Sequence, residues 1–180
     1  SRDIVIVTGT RTTGLSAADS PAPVTVLGED ILDRAGQVGL TQVLALTVPS
    51  FNAQAFGGDA SNLTLQAKLR GVSPNHALVL VNGKRRHGTA NLAVTGGPYQ
   101  GGAGADLNFI PLGSVDHIEV LLEGAAAQYG SDAIAGVINI IQKNASEGGQ
   151  ISLSGGEYFD GGGRNGEISA NIGLAPSANS

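Results

Sequence analysis

Apolar positions in this chain fall into short runs whose spacing shifts between alternation and a helical repeat. Residues 3–8, Asp-Ile-Val-Ile-Val-Thr, form a β-branched run with strong extended propensity. The polar, breaker-containing stretch from Gly9 to Gly14 separates it from the next element. Pro21 and Pro23 force an extended approach to Val24–Leu27. Glu29 and Asp30, following Gly28, put acids at the favourable end of a short helix near Ile31–Ala35. Leu40, Val43, Leu44 and Val48 recur at helical spacing, and Pro49 stops that helix. Residues 52–62 are polar and read as a loop, whereas Leu63 to Leu69 alternates as a half-buried strand should. Leu78–Val81 is continuous and apolar, the pattern of a central strand. Asn82-Gly83 then signals a tight turn. Two further apolar strands, Ile118–Leu122 and Val137–Ile141, bracket a small-residue segment ending in Tyr129-Gly130-Ser131.

Between Gly88 and Asp106 the chain is rich in glycine, with Gly96-Gly97-Pro98 and Gly101-Gly102-Ala103-Gly104. A loop of that length inside a compact domain is functional or disordered. After Ile141 the pattern changes to small alternating strands, Gln150–Gly156 and Glu167–Leu174, joined through Asp160-Gly161-Gly162-Gly163. No internal repeat is visible. The order of elements predicts an α+β fold: a small mixed β-sheet, short helices, long glycine-rich loops and a C-terminal β-hairpin.

Composition narrows the function classes. At 180 residues the chain suits one ordinary domain with an appendage. Hydrophobic residues at 41% permit a core, while 14% charged residues is low for a freely soluble surface. The 28 glycines are about twice the average usage of ~7%, which points to many loops. Aromatics at 4% and no tryptophan argue against the aromatic girdles of a membrane-spanning barrel. A formal charge of −5 disfavours nucleic acid, which demands a positive field. Zero cysteines exclude disulfides and thiolate metal sites. No run of ~18 apolar residues exists to make a spanning helix. Ser1-Arg2-Asp3 carries neither an initiator methionine nor a signal sequence, so the chain reads as processed or excised.

Catalytic patterns are weak. Gly102-Ala103-Gly104 lacks the third glycine of a dinucleotide fingerprint, and Gly83-Lys84 lacks the upstream glycine of a phosphate loop. His76, His87 and His117 are isolated from one another, with no partner at metal-ligand spacing. Ser114, Asp116 and His117 invite a triad reading, but adjacent strand residues point to opposite faces. The expectation is therefore no enzyme, no catalytic residue, no cofactor and no metal.

The stretch Ile110–Ile141, which contains Ile118-Glu119-Val120-Leu121, Tyr129-Gly130-Ser131 and Val137-Ile138-Asn139-Ile140, is the most specific part of the chain. Together with Leu69-Arg70-Gly71 and Leu78–Gly83 upstream, it resembles the plug domain of TonB-dependent outer-membrane receptors over roughly residues 3 to 142. That resemblance implies a gate inside a nutrient-uptake barrel in the outer membrane of a Gram-negative bacterium. It divides the chain into a TonB-box segment and linker at 1–14, the plug at 15–145, and the first hairpin of the barrel wall at 146–180. It also implies a TonB-binding box at Asp3, Ile4, Val5, Ile6, Val7 and Thr8, facing the periplasm and recognised by the TonB C-terminal domain. Strand addition suits such a segment, because main-chain hydrogen bonds grip it without much side-chain specificity. On residues alone the same run reads as an edge strand.

The family's other roles map less completely. Arg70 ends a strand, where an arginine is commonly solvated; the resemblance implies a lock with barrel-wall carboxylates, which would orient more than stabilise. Glu119 is either a solvated or sheet-face carboxylate or a partner for a plug arginine. Many relatives carry a second arginine where this chain has Leu122, and Glu123-Gly124 departs from their commoner Gly-Pro, so a two-arginine lock is in doubt. Lys84-Arg85-Arg86-His87 is either a solvated turn or a loop facing an anionic solute. Tyr99 and Gln100 would offer stacking and hydrogen bonds to the same solute. Tyr129 reads as structural, a buried ring with its hydroxyl satisfied.

Length sets one limit. A plugged outer-membrane transporter uses about 22 strands of ~9–11 residues, hence at least ~200 residues of wall. This chain cannot build its own pore, so its barrel would be a separate stretch or chain. Two readings from other classes stand beside the plug: a soluble periplasmic binding or signalling module, and a β-rich assembly protein joining subunits through strand edges. Iron chelates, corrinoids, sugars and metal complexes all remain open as the solute.

Overall fold

The computed structural model describes residues 8–9, 16–20, 22–36, 39–54, 59–96, 99–144 and 148–174. Strand β1 (Val24–Gly28) follows the proline segment and leads directly into helix α1 (Glu29–Arg34). Glu29 and Asp30 fill the first turn of α1 and Arg34 its last, complementing the helix dipole at both ends. Helix α2 (Leu40–Thr47) buries Leu40, Thr41, Val43 and Leu44 along one stripe and ends just before Pro49.

Residues 52–62 are not all loop. Phe51–Gln54 forms strand β2, antiparallel to β3 (Gln66–Leu69), with Phe51 opposite Leu69 and Gln54 opposite Gln66. The alternating strand expected from Leu63 is correspondingly shorter: Leu63 ends a short 3-10 turn, Ala60–Leu63, and is exposed. Nor is β3 half-buried, since all four of its residues are covered. The glycine-rich loop lies across its polar side. Gln66 there donates to the Asn91 carbonyl at 3.4 Å and accepts from the Gly104 N–H at 2.9 Å. Alternation in the sequence marked two environments, and both are inside.

Strand β4 (Ala77–Val81) turns at Asn82-Gly83 into the two-residue strand β5 (Lys84–Arg85). Both turn residues take positive φ, 50° and 75°, as a tight hairpin turn requires. Strand β6 (Val115–Leu121), helix α3 (Ala125–Tyr129) and strand β7 (Gly136–Gln142) complete the main body. The five-stranded sheet runs β1-β6-β7-β4-β5, and β4 pairs in parallel with β7. Gly136 opens β7 at φ 139°, where a Cβ would lie 2.8 Å from the Leu121 carbonyl oxygen. Only glycine brings β7 that close to β6.

The sheet is covered on both faces. Leu27, Ile118, Val120, Ile138, Ile140 and Val79 pack with α1, α2 and β2–β3 into the larger core. Leu78, Leu80, Leu121 and Val137 pack on the opposite face with Ala125 and Ala133. The glycine-rich stretch from 88 is ordered among the described residues as an irregular hairpin. Its rungs are Thr89 N–H to the Gly104 carbonyl and Ala93 N–H to the Gly102 carbonyl, both 3.0 Å. Strands β8 (Gly149–Gly156) and β9 (Asn165–Ile172) form a separate antiparallel sheet. The mixed sheet, short helices and long loops make the α+β fold expected from the order of elements. No helix among the described residues is long and apolar enough to cross a membrane.

Candidate functional site

Residues 3–7 of the expected box lie outside the described residues, but Thr8 does not. Its side chain is fully buried. The Thr8 hydroxyl donates to the Glu119 carboxylate and accepts from the Asn139 side-chain amide at 2.9 Å. Glu119, read from the sequence as a solvated or sheet-face carboxylate or an arginine's partner, is fully buried on the sheet face, and Arg70 pairs with Glu123. It projects from β6 opposite to Ile118 and Val120, as strand alternation dictates. There the Asn139 amide donates to it at 3.3 Å and the His117 Nε2 lies 3.4 Å away.

His117 also meets Asp116, Nδ1 to Oδ2 at 2.6 Å. Adjacent strand residues should point apart, but the β6–β7 register shifts between Val115 and His117. That bulge re-aims the Asp116 side chain. Burial opposes a charge on His117, yet hydrogen bonds and charges from Glu119 and Asp116 outweigh it, so its pKa is raised above 6.5. Ser114 takes no part, because its hydroxyl donates to the Pro111 carbonyl at 2.7 Å. The three residues do not form a triad.

Arg70 follows β3 in a turn with Gly71, at φ 54° and 68°. Its guanidinium pairs with Glu123, the two side chains being 39% and 65% exposed. An ion pair so exposed contributes roughly 0.2–1 kcal/mol. Glu123, just beyond the end of β6, is thus the residue that engages Arg70.

The five residues expected to contact solute do not gather in one place. Arg85 and Arg86 line a cleft of about 360 Å³ with Pro74, Asn75, Gly104 and Asp132, and Arg85 pairs with Asp132. His87 is exposed and does not line that cleft. Tyr99 and Gln100 sit on the tip of the long loop instead. The Tyr99 hydroxyl donates to the Gly71 carbonyl at 2.9 Å, and its ring covers the Lys68 ammonium at 4.2 Å from the centroid. Lys68 is buried, and that desolvation lowers its pKa. Gln100 donates to the Val94 carbonyl at 3.3 Å.

Sequence reasoning missed Asp59. Its carboxylate accepts from the Val94 N–H at 2.9 Å, the Thr95 N–H at 2.7 Å and the Thr95 hydroxyl at 2.7 Å. This ties the loop before β3 to the tip of the glycine-rich loop. Leu63, Leu92 and Val94 stand exposed on those same two loops. No local signal in the sequence pairs loops 35 residues apart. Among the described residues no group of acids or histidines is arranged to hold a metal ion.

A family model described as the TonB-dependent receptor plug domain matches residues 16–137. The chain belongs to that family. The vitamin B12 transporter of Vibrio vulnificus is 32% identical over 158 residues, 87% of this chain and 23% of that protein. The ferric enterobactin receptor of Pseudomonas aeruginosa is 34% identical over 128 residues, 70% of this chain and 17% of that protein. An iron-regulated outer membrane virulence protein of Vibrio cholerae is 31% identical over 139 residues, 76% of this chain and 20% of that protein. Among solved structures, a ferric enterobactin receptor from Pseudomonas aeruginosa in complex with enterobactin superposes with a TM-score of 0.60 at 30% identity, over 82% of this chain and 22% of that one. This chain spans no more than about a quarter of each of these relatives.

Proposed function

We propose that this plug closes the barrel of a TonB-dependent transporter in the outer membrane of a Gram-negative bacterium and opens when pulled from the periplasm. Asp3, Ile4, Val5, Ile6, Val7 and Thr8 form the segment offered to the TonB C-terminal domain. Solute arriving from outside meets the loops tied by Asp59 and the basic cleft of Arg85 and Arg86, with His87, Tyr99 and Gln100 as neighbouring contacts. The two arginines favour an anionic solute. An iron chelate fits that chemistry, and relatives named for ferric enterobactin support it. Arg70 keeps the wall-facing role, because a pair as exposed as Arg70–Glu123 exchanges readily for a wall carboxylate.

One observation carries the reading: the hairpin β8–β9 has two chemically distinct faces. Ile151, Leu153, Ile168 and Ile172 lie on one face, each 71 to 78% exposed. Ser152 and Ser169 lie on the other, their hydroxyls 2.5 Å apart, and Gly113 of the plug sits directly against Ser169. A hairpin polar towards the plug and apolar away from it is what a barrel wall needs, with lumen and lipid on opposite sides. Residues 146–180 are accordingly assigned to the start of that wall.

Titration of the 180-residue chain with the TonB C-terminal domain tests the energy-coupling half of this reading. Replacing Val5 and Val7 with proline removes two main-chain donors from the added strand. Affinity is expected to fall at least about tenfold, the worth of one or two such hydrogen bonds. Unchanged affinity would defeat the N-terminal assignment.

A further inference from the structure

The cleft beside β4 holds two arginines that are not equivalent. Its walls are β4 from Ala77 to Val79, the chain leaving β5, and the returning leg of the long loop at 103–105. Those segments are fixed to one another. Gly88 packs so close to the returning leg that a Cβ there would collide with the Ala103 carbonyl oxygen. Asn75 ties the same leg, donating to the Gly101 carbonyl at 3.0 Å and accepting from the Ala103 N–H at 2.9 Å. The Ala135 N–H donates to the His76 carbonyl at 3.0 Å, which joins the turn carrying Asp132 to the turn carrying Asn75. Asp132 is engaged by Arg85. Arg86 differs. Its N–H donates to the Val79 carbonyl at 2.9 Å, which fixes its backbone. Its guanidinium is half-buried, with no hydrogen-bond or ion-pair partner among the described residues. A cation stripped of part of its water without a counter-charge is an unmet cost.

We propose that this cleft is a receptor for one carboxylate group, with Arg86 as its anchor and the Arg85–Asp132 pair as the frame that limits the charge it takes. Arg85, Arg86 and Asp132 together leave a single positive charge on the lining, so one negative charge completes the balance. The planar guanidinium offers two parallel donors at the spacing of carboxylate oxygens. A phosphate group carries about −1.5 to −2 near neutral pH, and would leave negative charge in excess beside Asp132. At about 360 Å³ the cleft sits near the small end of small-molecule sites, ~300–1,000 Å³. It therefore takes one arm of a solute, which narrows the anionic solute to one bearing a carboxylate. That this carboxylate belongs to the transported solute rests on the uptake role proposed above; the receptor itself does not.

Titration of the 180-residue chain with sodium acetate, at constant ionic strength and followed by NMR, tests this. The Arg86 guanidinium carbon and the Gly88 and Gly104 amides should shift and saturate together. The exposed Arg34 and Arg164 should not respond. Arg86→Gln should remove the saturable response at both glycines. At about pH 8, where phosphate is largely dianionic, the native chain should bind acetate more tightly than inorganic phosphate. Asp132→Asn, which keeps the side-chain size and removes the negative charge, should raise phosphate affinity about tenfold, the scale of one close repulsion acting on a dianion. The proposal is overturned by shifts that do not saturate, by equal shifts at Arg34 and Arg164, or by a native preference for phosphate. It is equally overturned if Arg86→Gln keeps the site or Asp132→Asn binds phosphate no better. The native titration with both anions decides whether or not either variant folds. Acetate binding by a plug that fails to block its pore would support the receptor and defeat the uptake role. An occluding plug with no acetate site would overturn the receptor alone.

Discussion

Glu119 and Arg70 show how far one residue's chemistry depends on where the fold puts it. The charge of Arg70 was visible from its place beside Gly71, but its partner was not, because Glu123 lies 53 residues away. Removing either member should cost little: Arg70→Ala and Glu123→Ala are each expected to lower stability by roughly 0.2–1 kcal/mol. Chemical denaturation checks this, and a loss of several kcal/mol would mean the pair is far less solvated than its exposure indicates. His117 makes the opposite case, since its raised pKa links it to stability. A histidine whose pKa is higher folded than unfolded contributes fully below its ordinary value of 6.5 and loses that contribution as pH rises through the folded value. Native chain and His117→Asn should therefore differ most on the acid side. Denaturation midpoints across pH measure it, and a gap that widens towards alkaline pH would contradict the assignment.

At the scale of elements, the legible parts were those whose apolar run and punctuation agreed. Helix α2, strands β4, β6 and β7 and the Asn82-Gly83 turn all combine a clear hydrophobic pattern with a proline, glycine or asparagine at the boundary. Strand β2 was not legible, because Phe51-Asn52-Ala53-Gln54 lacks β-branched residues and becomes a strand only by pairing with β3. The order inside residues 88–106 was hidden for a related reason: Asp59 and Gln66, both distant in sequence, hold that loop. Asp59→Ala should release it, raising exchange at the Val94 and Thr95 amides while leaving β4 and β7 unchanged; protected amides in that variant would show that the clamp is dispensable. For β8–β9, Leu153→Arg should destabilise the assembled transporter by about 2–4 kcal/mol if that face meets the bilayer midplane. An aspartate in place of Ser152, on the polar face, should be tolerated. Equal effects in folding assays with lipid would contradict the two-faced assignment.

The main body is a two-faced sheet whose larger core is sealed by α1, α2 and β2–β3 and whose second face is partly covered by Thr8 and Gly9. The family pattern made the plug legible at once, because Ile118–Leu121 and Val137–Ile140 recur in order around a small-residue turn. The N-terminal attachment was not legible, since no sequence rule connects Thr8 to residues 111 and 131 positions away. Thr8 and Gly9 rest against residues of the central strands β6 and β7 and of α3, while the loops proposed to meet solute flank β3 and β5. The central claim is occlusion, and planar-bilayer conductance tests it most directly. The transporter carrying this plug should be electrically silent when intact and should conduct as a wide, steady pore once residues 16–144 are deleted. Equal conductance with and without those residues would contradict the account.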